Sequence, residues 1–363
     1  MSLVRTYATI PLEVERGEDV HVFDASGRRY LDLYAGHAVC STGHCHPRVV
    51  KAIQDQAAKL LFYSNVVGSK IRDRAAAALV RNIPGFRALF SSSGAEANED
   101  ALKLARKVTG RDEVVAMEGG FHGRTAGAMS VTGNPRMRVG PQVPGVRFVP
   151  FGEVPEITAG TAAVLLEPIQ SMSGVISASP ETLREIRKRC DDAGAFLIYD
   201  EVQTGIGRTG EMFYSGTHGV TPDIVTLAKG IGSGFPLAAA LVRDAIAEKV
   251  EIGDFGHTYG GGPVAMAALE ATIEVVEGLL PNVKETGAYL AERLKKFGEV
   301  RGRGFLLGLK IDGSAKALLA ELLKRGVIVG ASGEPDVIRL LPPLTLQKEH
   351  VDAFMVELDA ALR

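Results

Sequence analysis

The chain has 363 residues, of which 46% are hydrophobic and 23% charged, ordinary globular proportions with enough length for one large domain and a smaller one. Its net charge of −2 leaves no long-range field to recruit nucleic acid or an anionic membrane. Cys40, Cys45 and Cys190 form no C-x-x-C pair, which suits reduced thiols rather than a disulfide framework. The N-terminus lacks a charged-then-apolar leader and no apolar run is long enough to span a bilayer, so a cytoplasmic protein is expected.

Residues 1–45 read as an N-terminal segment packing with a small domain, and within it residues 20–32 hold two extended runs around Ser26-Gly27, a hairpin signal. Residues 46–250 form the expected large domain. Arg48 to Phe62 and Lys70 to Arg81 carry helical periodicity, and Ala95 to Val108 reads as an amphipathic helix. Glu113 to Met117, Ala162 to Leu166, Phe196 to Asp200 and Asp223 to Ala228 read as short buried strands. Strands alternating with helices predict an α/β fold whose mostly parallel sheet is covered by helices and binds ligands at the carboxyl ends of its strands. Residues 251–363 read as a smaller α+β domain: two helical stretches beyond Pro263, a strand over Phe305 to Lys310, a helix over Ala315 to Arg325, a strand over Val337 to Leu341 and a closing helix from Lys348.

Two strand ends carry the chemistry. Lys229 follows the run Asp223 to Ala228 and precedes Gly230-Ile231-Gly232-Ser233-Gly234, so small residues clear space around its amine. Asp200 ends the run from Phe196. A desolvated lysine has a lowered pKa and forms Schiff bases, and a buried carboxylate holds a pyridinium nitrogen protonated. Together they describe a pyridoxal 5′-phosphate site. Ser91-Ser92-Ser93-Gly94-Ala95 leads into a helix, whose free N–H groups and dipole favour a phosphate. In Gly119-Gly120-Phe121-His122-Gly123-Arg124, Phe121 offers a stacking face and Arg124 a fork for a carboxylate. Strict alternation puts Val202 on the same side as Asp200. A zinc site at Cys40, His44, Cys45 and His46 is disfavoured, because adjacent Cys45 and His46 point apart in extended chain; no metal is expected. No G-x-G-x-x-G follows the first strand, which removes a dinucleotide-binding reading.

The segments FSSSGAEANEDALKLAR (from Phe90), GGFHGRT (Gly119), LEPIQ (Leu166), LIYDEVQTGIGRTG (Leu197), TLAKGIG (Thr226), HTYGGGPVA (His257) and IRLLPPL (Ile338) resemble class III aminotransferases of the pyridoxal phosphate fold-type I group, most closely the acetylornithine and ornithine branch. The resemblance implies a seven-stranded-type sheet with a smaller C-terminal domain and an N-terminal arm. It implies that Lys229 carries the Schiff base and shuttles the proton while Asp200 pairs with the ring nitrogen. Ser93, Gly94 and Ala95, with Thr258 from the opposite subunit of a homodimer, would hold the phosphate. Phe121 and Val202 would sandwich the ring, Gln203 would meet its 3′-oxygen, and His122 and Glu167 would complete the cofactor site. Arg339 would grip the α-carboxylate of glutamate or 2-oxoglutarate and Arg124 the far carboxylate, with His37 and Tyr63 also near substrate. The implied reaction moves the terminal amine of N2-acetyl-L-ornithine to 2-oxoglutarate; ornithine, N-protected lysine or broad ω-amine donors would use the same machinery. An aminomutase or a non-catalytic cofactor binder is the remoter reading. Two departures stand out: Ala95 replaces a common threonine, and Met172 replaces the glutamate that usually pairs with the arginine at the Arg339 position.

Overall fold

The computed structural model describes residues 2–7 and 9–363. Three strands, β1 (Val14–Glu18), β2 (His21–Asp24) and β3 (Arg29–Asp32), form an antiparallel N-terminal sheet, so the expected hairpin lies between β2 and β3. The central sheet uses β4 (Phe86–Ser91), β5 (Glu113–Met117), β6 (Val146–Val149) and β7 (Thr161–Leu166). A two-stranded ribbon, β8 (Ile169–Gln170) with β9 (Ile176–Ser177), interrupts it in sequence. The sheet is completed by β10 (Phe196–Asp200), β11 (Ile224–Leu227) and β12 (Ala238–Arg243).

The order across this seven-stranded sheet is β4-β12-β11-β10-β7-β5-β6. Only β12 runs against the rest, pairing antiparallel with both β11 and β4. All six residues of β7 are buried. A strand covered by helices on both faces has no polar side to present, which explains the unbroken apolar run over Ala162 to Leu166. Asp200 on β10 stands opposite Thr226 on β11, so Asp200 and Lys229 emerge at the same carboxyl edge of neighbouring parallel strands.

The helix Gly94–Thr109 packs on the sheet through a buried face that includes Ala97, Asn98, Ala101, Leu102 and Ala105. Ser93 caps it, its hydroxyl accepting from Glu96 N at 3.3 Å. In the C-terminal part, β13 (Glu299–Arg303), β14 (Leu306–Lys310), β16 (Gly330–Ala331) and β17 (Val337–Leu340) form a small sheet in the order β13-β14-β17-β16. Between them in sequence, β15 (Val327–Ile328) pairs parallel with β3, tying the N-terminal sheet to the C-terminal segment. One apolar cluster unites Leu227 and Leu241 of the central sheet with Val276, Phe305 and Phe354.

The two helices expected beyond Pro263 are one helix, Pro263–Leu294, with Pro281 inside it. Proline in a helix interior costs about 3 kcal/mol. Buried residues continue past it at Val283, Leu290 and Leu294, and their packing keeps the two halves in one rod. Among the described residues no helix is long and apolar enough to cross a membrane.

Candidate active site

A cavity of about 420 Å³ opens at the carboxyl edge of β10 and β11. Ser93, Gly94, Ala95, Phe121, His122, Asp200, Val202 and Lys229 all line it, as do Ser92, Asn98 and Phe235. Eight residues expected from sequence to serve one site are thus brought to one wall.

Lys229 begins a short 3-10 turn one residue beyond β11 and holds φ at 48°, in the left-handed region that costs a non-glycine residue free energy and is retained where the surroundings fix it. Burial holds its amine below the ordinary lysine value, so more of it is a neutral nucleophile near pH 7. Asp200, also buried, is clamped by three donors: Asn98 Nδ2 at 2.8 Å and His122 Nδ1 at 2.8 Å reach Oδ2, and Val202 N reaches Oδ1 at 3.0 Å. Burial opposes a charge on His122, but its bond to Asp200 outweighs that and raises its pKa.

Asn98 was not visible as a site residue from sequence. Its amide also donates to His122 O at 2.7 Å and its carbonyl accepts from Thr226 Oγ1 at 2.7 Å, so one side chain fastens a helix, two strands and the glycine-rich loop around Asp200. The available signal was an asparagine on the apolar face of an amphipathic helix.

Glu167, just past β7, accepts from Phe121 N at 2.9 Å and is buried. Burial pushes its carboxyl up to about 7. Arg124 is exposed at the rim, its guanidinium 6.0 Å from the Phe121 ring and 5.4 Å from that of Tyr7. The loop that carries it is anchored by Glu99, whose Oε1 accepts from Thr125 Oγ1, Gly127 N and Ala128 N at 2.6, 2.7 and 3.1 Å.

Other expected residues lie outside the cavity wall. Gln203 is buried, and among the described residues its Oε1 has no partner. Arg339 is buried with His37 close by, linked through Tyr34: Arg339 Nη2 donates to the tyrosine oxygen at 3.0 Å, which lies 2.6 Å from His37 Nδ1. Met172 is half-buried, and its carbonyl accepts from Gly333 N at 2.6 Å. The residue of that loop that hydrogen-bonds Arg339 is Ser171, whose Oγ accepts from Nη1 at 3.0 Å, a contact the sequence did not disclose. Tyr63 and Thr258 are both exposed and contribute nothing to the wall of the cavity in their own chain.

Pyridoxal phosphate fits this donor set. Among the described residues no acceptor meets the N–H groups of Gly94 and Ala95, and a helix N-terminus with free donors suits a phosphate. The backbone closes tightly there: a Cβ on Gly94 would sit 3.1 Å from Val202 Cγ2 and 3.3 Å from Ala228 Cβ. The Ser93 hydroxyl and Ser92 N–H both donate to Glu96 Oε2 at 3.0 Å, so the helix entry is ordered by its own residues. Asp200 offers a carboxylate to a ring nitrogen, and Lys229 an amine to a carbonyl carbon.

Residues 3–362 match the family described as aminotransferase class-III. The acetylornithine aminotransferase of Methanopyrus kandleri is 42% identical, over 99% of this chain and 96% of its own length. That of Methanocaldococcus jannaschii is 39% identical over 98% and 94%. Among solved structures, the ornithine aminotransferase of Toxoplasma gondii superposes with a TM-score of 0.94 at 28% identity, covering 99% of this chain and 92% of the other. Its sheet, its cavity and its likeness from end to end agree, and the chain belongs to the class III aminotransferases.

Proposed function

We propose that this protein is a pyridoxal phosphate-dependent acetylornithine aminotransferase, moving the terminal amine of N2-acetyl-L-ornithine to 2-oxoglutarate to give a semialdehyde and L-glutamate. The observation that carries the reading is Lys229 and Asp200 facing one cavity at the N-terminus of the helix Gly94–Thr109, in a chain whose relatives named acetylornithine aminotransferase span nearly its whole length. When bound, the cofactor supplies a carbonyl that amines condense with and a protonated ring that withdraws electrons from the reacting carbon.

The residues divide the remaining work. Gly94 and Ala95 N–H groups hold the phosphate, joined by the Ser93 hydroxyl when its proton turns from Glu96 Oε2, and Phe121 and Val202 pack the ring. Asp200, held in place by hydrogen bonds from Asn98, His122 and Val202, holds a proton on the ring nitrogen. Lys229 Nζ takes a proton from the substrate carbon and returns one, which its lowered pKa favours near neutrality. Gln203, whose buried oxygen has no partner among the described residues, completes the polar border. Arg339 binds the carboxylate beside the reacting carbon of glutamate or 2-oxoglutarate, and Arg124 the carboxylate at the far end. His37 and Tyr63 border the substrate path.

A homodimer with shared sites belongs to this reading. The exposed rings of Phe62 and Tyr259 lie 5.4 Å apart, next in sequence to exposed Leu61, Tyr63 and Val66, and Asn65 Nδ2 donates to His257 O at 3.1 Å and Gly260 O at 2.8 Å. An apolar patch of that kind calls for a partner. Thr258 lies on this surface, which supports its reaching the phosphate of a second copy. Cofactor affinity should therefore fall together with dimer dissociation in sedimentation; a fully active monomer would defeat the shared site. The donor is tested by a panel with 2-oxoglutarate as acceptor: acetylornithine should give the highest kcat/KM, and a clear preference for ornithine, N-protected lysine or simple amines would replace it. A cytoplasmic location accompanies the proposal.

A further inference from the structure

Arg339 is a buried cation in a neutral seat. It stands on β17 opposite Gly330 of β16 and is 2% exposed. Its guanidinium donates from Nε to Ala331 O at 2.6 Å, from Nη1 to Ser171 Oγ at 3.0 Å and from Nη2 to Tyr34 OH at 3.0 Å. Among the described residues no carboxylate pairs with it. An ion taken out of water without a counter-charge costs several kcal/mol, so this arrangement stores a demand for an anion.

Tyr34 is fixed from several sides. Its N–H donates to Asp32 Oδ1 at 2.8 Å, and so does that of Ala35 at 2.9 Å. Its ring lies against Gly330, where a Cβ would come within 2.0 Å of Cε2, so a larger residue at 330 has no room beside it. Residues 35–38 then turn with φ of 47°, 58°, 69° and 65°, a left-handed turn that costs L-residues roughly 1–2 kcal/mol each. That turn brings His37 Nδ1 within 2.6 Å of the Tyr34 hydroxyl. Burial, then the Arg339 and Lys229 charges, hold His37 below its ordinary pKa. The ring is therefore neutral, and in its Nε2–H tautomer Nδ1 accepts from the Tyr34 hydroxyl while the tyrosine oxygen accepts from Arg339. In that tautomer the hydrogen bonds run one way, Arg339 to Tyr34 to His37.

We propose that Ser171 and Tyr34 are the positioning residues of Arg339, a two-hydroxyl seat that fixes its fork and presents its charge uncompensated to the carboxylate next to the reacting carbon. Hydroxyls satisfy the N–H groups without supplying charge, so a substrate carboxylate displaces no protein carboxylate. The inference rests on the transaminase reading and adds a preference to it: substrates with a carboxylate beside the reacting carbon bind better than terminal amines, which leave Arg339 unpaired.

The test uses the holoenzyme with glutarate as a non-reacting dicarboxylate probe, followed through the cofactor's visible absorption, with parallel kinetics for 2-oxoglutarate and for acetylornithine. Ser171→Gly and Tyr34→Phe each remove one hydroxyl from a charged donor. Each should weaken glutarate and raise the KM for 2-oxoglutarate about tenfold, with the larger loss on KM rather than kcat and on the acceptor rather than the terminal-amine half-reaction. Ser171→Thr, which keeps the hydroxyl, should stay within about threefold of wild type. Wild-type glutarate affinity in both deletions, or equal losses for acceptor and donor, would overturn the proposal. Arg339→Ala separates the two levels. If it alone loses glutarate, only the seat is wrong; if it too binds glutarate normally, Arg339 is not the carboxylate grip.

Discussion

Glu167→Gln tests the electrostatics behind Asp200 and Lys229. The Glu167 carboxyl is raised from 4.5 to about 7, chiefly by burial, with Asp200 pushing the same way and His122 opposing. A carboxyl with a raised folded-state pKa costs nothing below its unfolded value, where both states are protonated. Stability is then lost as pH rises from about 4.5 through about 7, because the unfolded chain releases the proton first. At about 1.4 kcal/mol per pKa unit, the penalty approaches about 3 kcal/mol once the group is ionised. Glutamine is nearly isosteric and keeps an oxygen for Phe121 N, so the substitution removes the titration and spares the hydrogen bond. Denaturant unfolding of the cofactor-free protein at pH 5 and pH 8 should show the variant gaining on wild type by up to about 3 kcal/mol at the higher pH. An identical pH dependence for the two proteins would refute the reasoning and place the ionisation of Glu167 in the ordinary carboxylate range.

Asn98→Ala removes bonds to Asp200, His122 O and Thr226 Oγ1 in a buried place. Unfolding free energy should fall by about 3 kcal/mol, since stranded buried polar groups cost roughly 1–3 kcal/mol each, and cofactor affinity should fall with it; wild-type values for both would make the asparagine incidental. Asp200→Asn should keep the fold and slow both half-reactions by about a hundredfold or more, because an amide cannot hold the ring nitrogen protonated as a carboxylate does. Unchanged rapid-mixing rates would mean that the carboxylate is structural. Met172→Glu puts a carboxylate one residue from Ser171 and should narrow the donor range by neutralising Arg339 when no dicarboxylate is bound. Equal donor profiles at saturating 2-oxoglutarate would show that position 172 does not set specificity.

Residues whose chemistry follows from a strand end were legible in the sequence. The apolar runs ending at Asp200 and before Lys229 name their strands, and Gly94 and Ala95 follow from a serine-capped helix start. Strand β12 was missed because Ala238-Ala239-Ala240 has little β propensity; pairing with β11 and β4 makes it a strand. The seam through Asn98, His122 and Asp200 joins positions 24 to 102 residues apart, and the seat of Arg339 joins Tyr34, Ser171 and β17. No local pattern encodes such contacts. The two helical stretches expected beyond Pro263 are one helix, because tertiary packing carries it through Pro281.

The central claim is that Lys229 is the amine that bonds to the cofactor. Borohydride reduction of the holoenzyme, followed by digestion and mass mapping, reads that bond directly. A single pyridoxyl-modified peptide is expected, with the added mass on Lys229, and none when the protein is first treated with excess amine donor. Modification of another lysine, or of none, would contradict it.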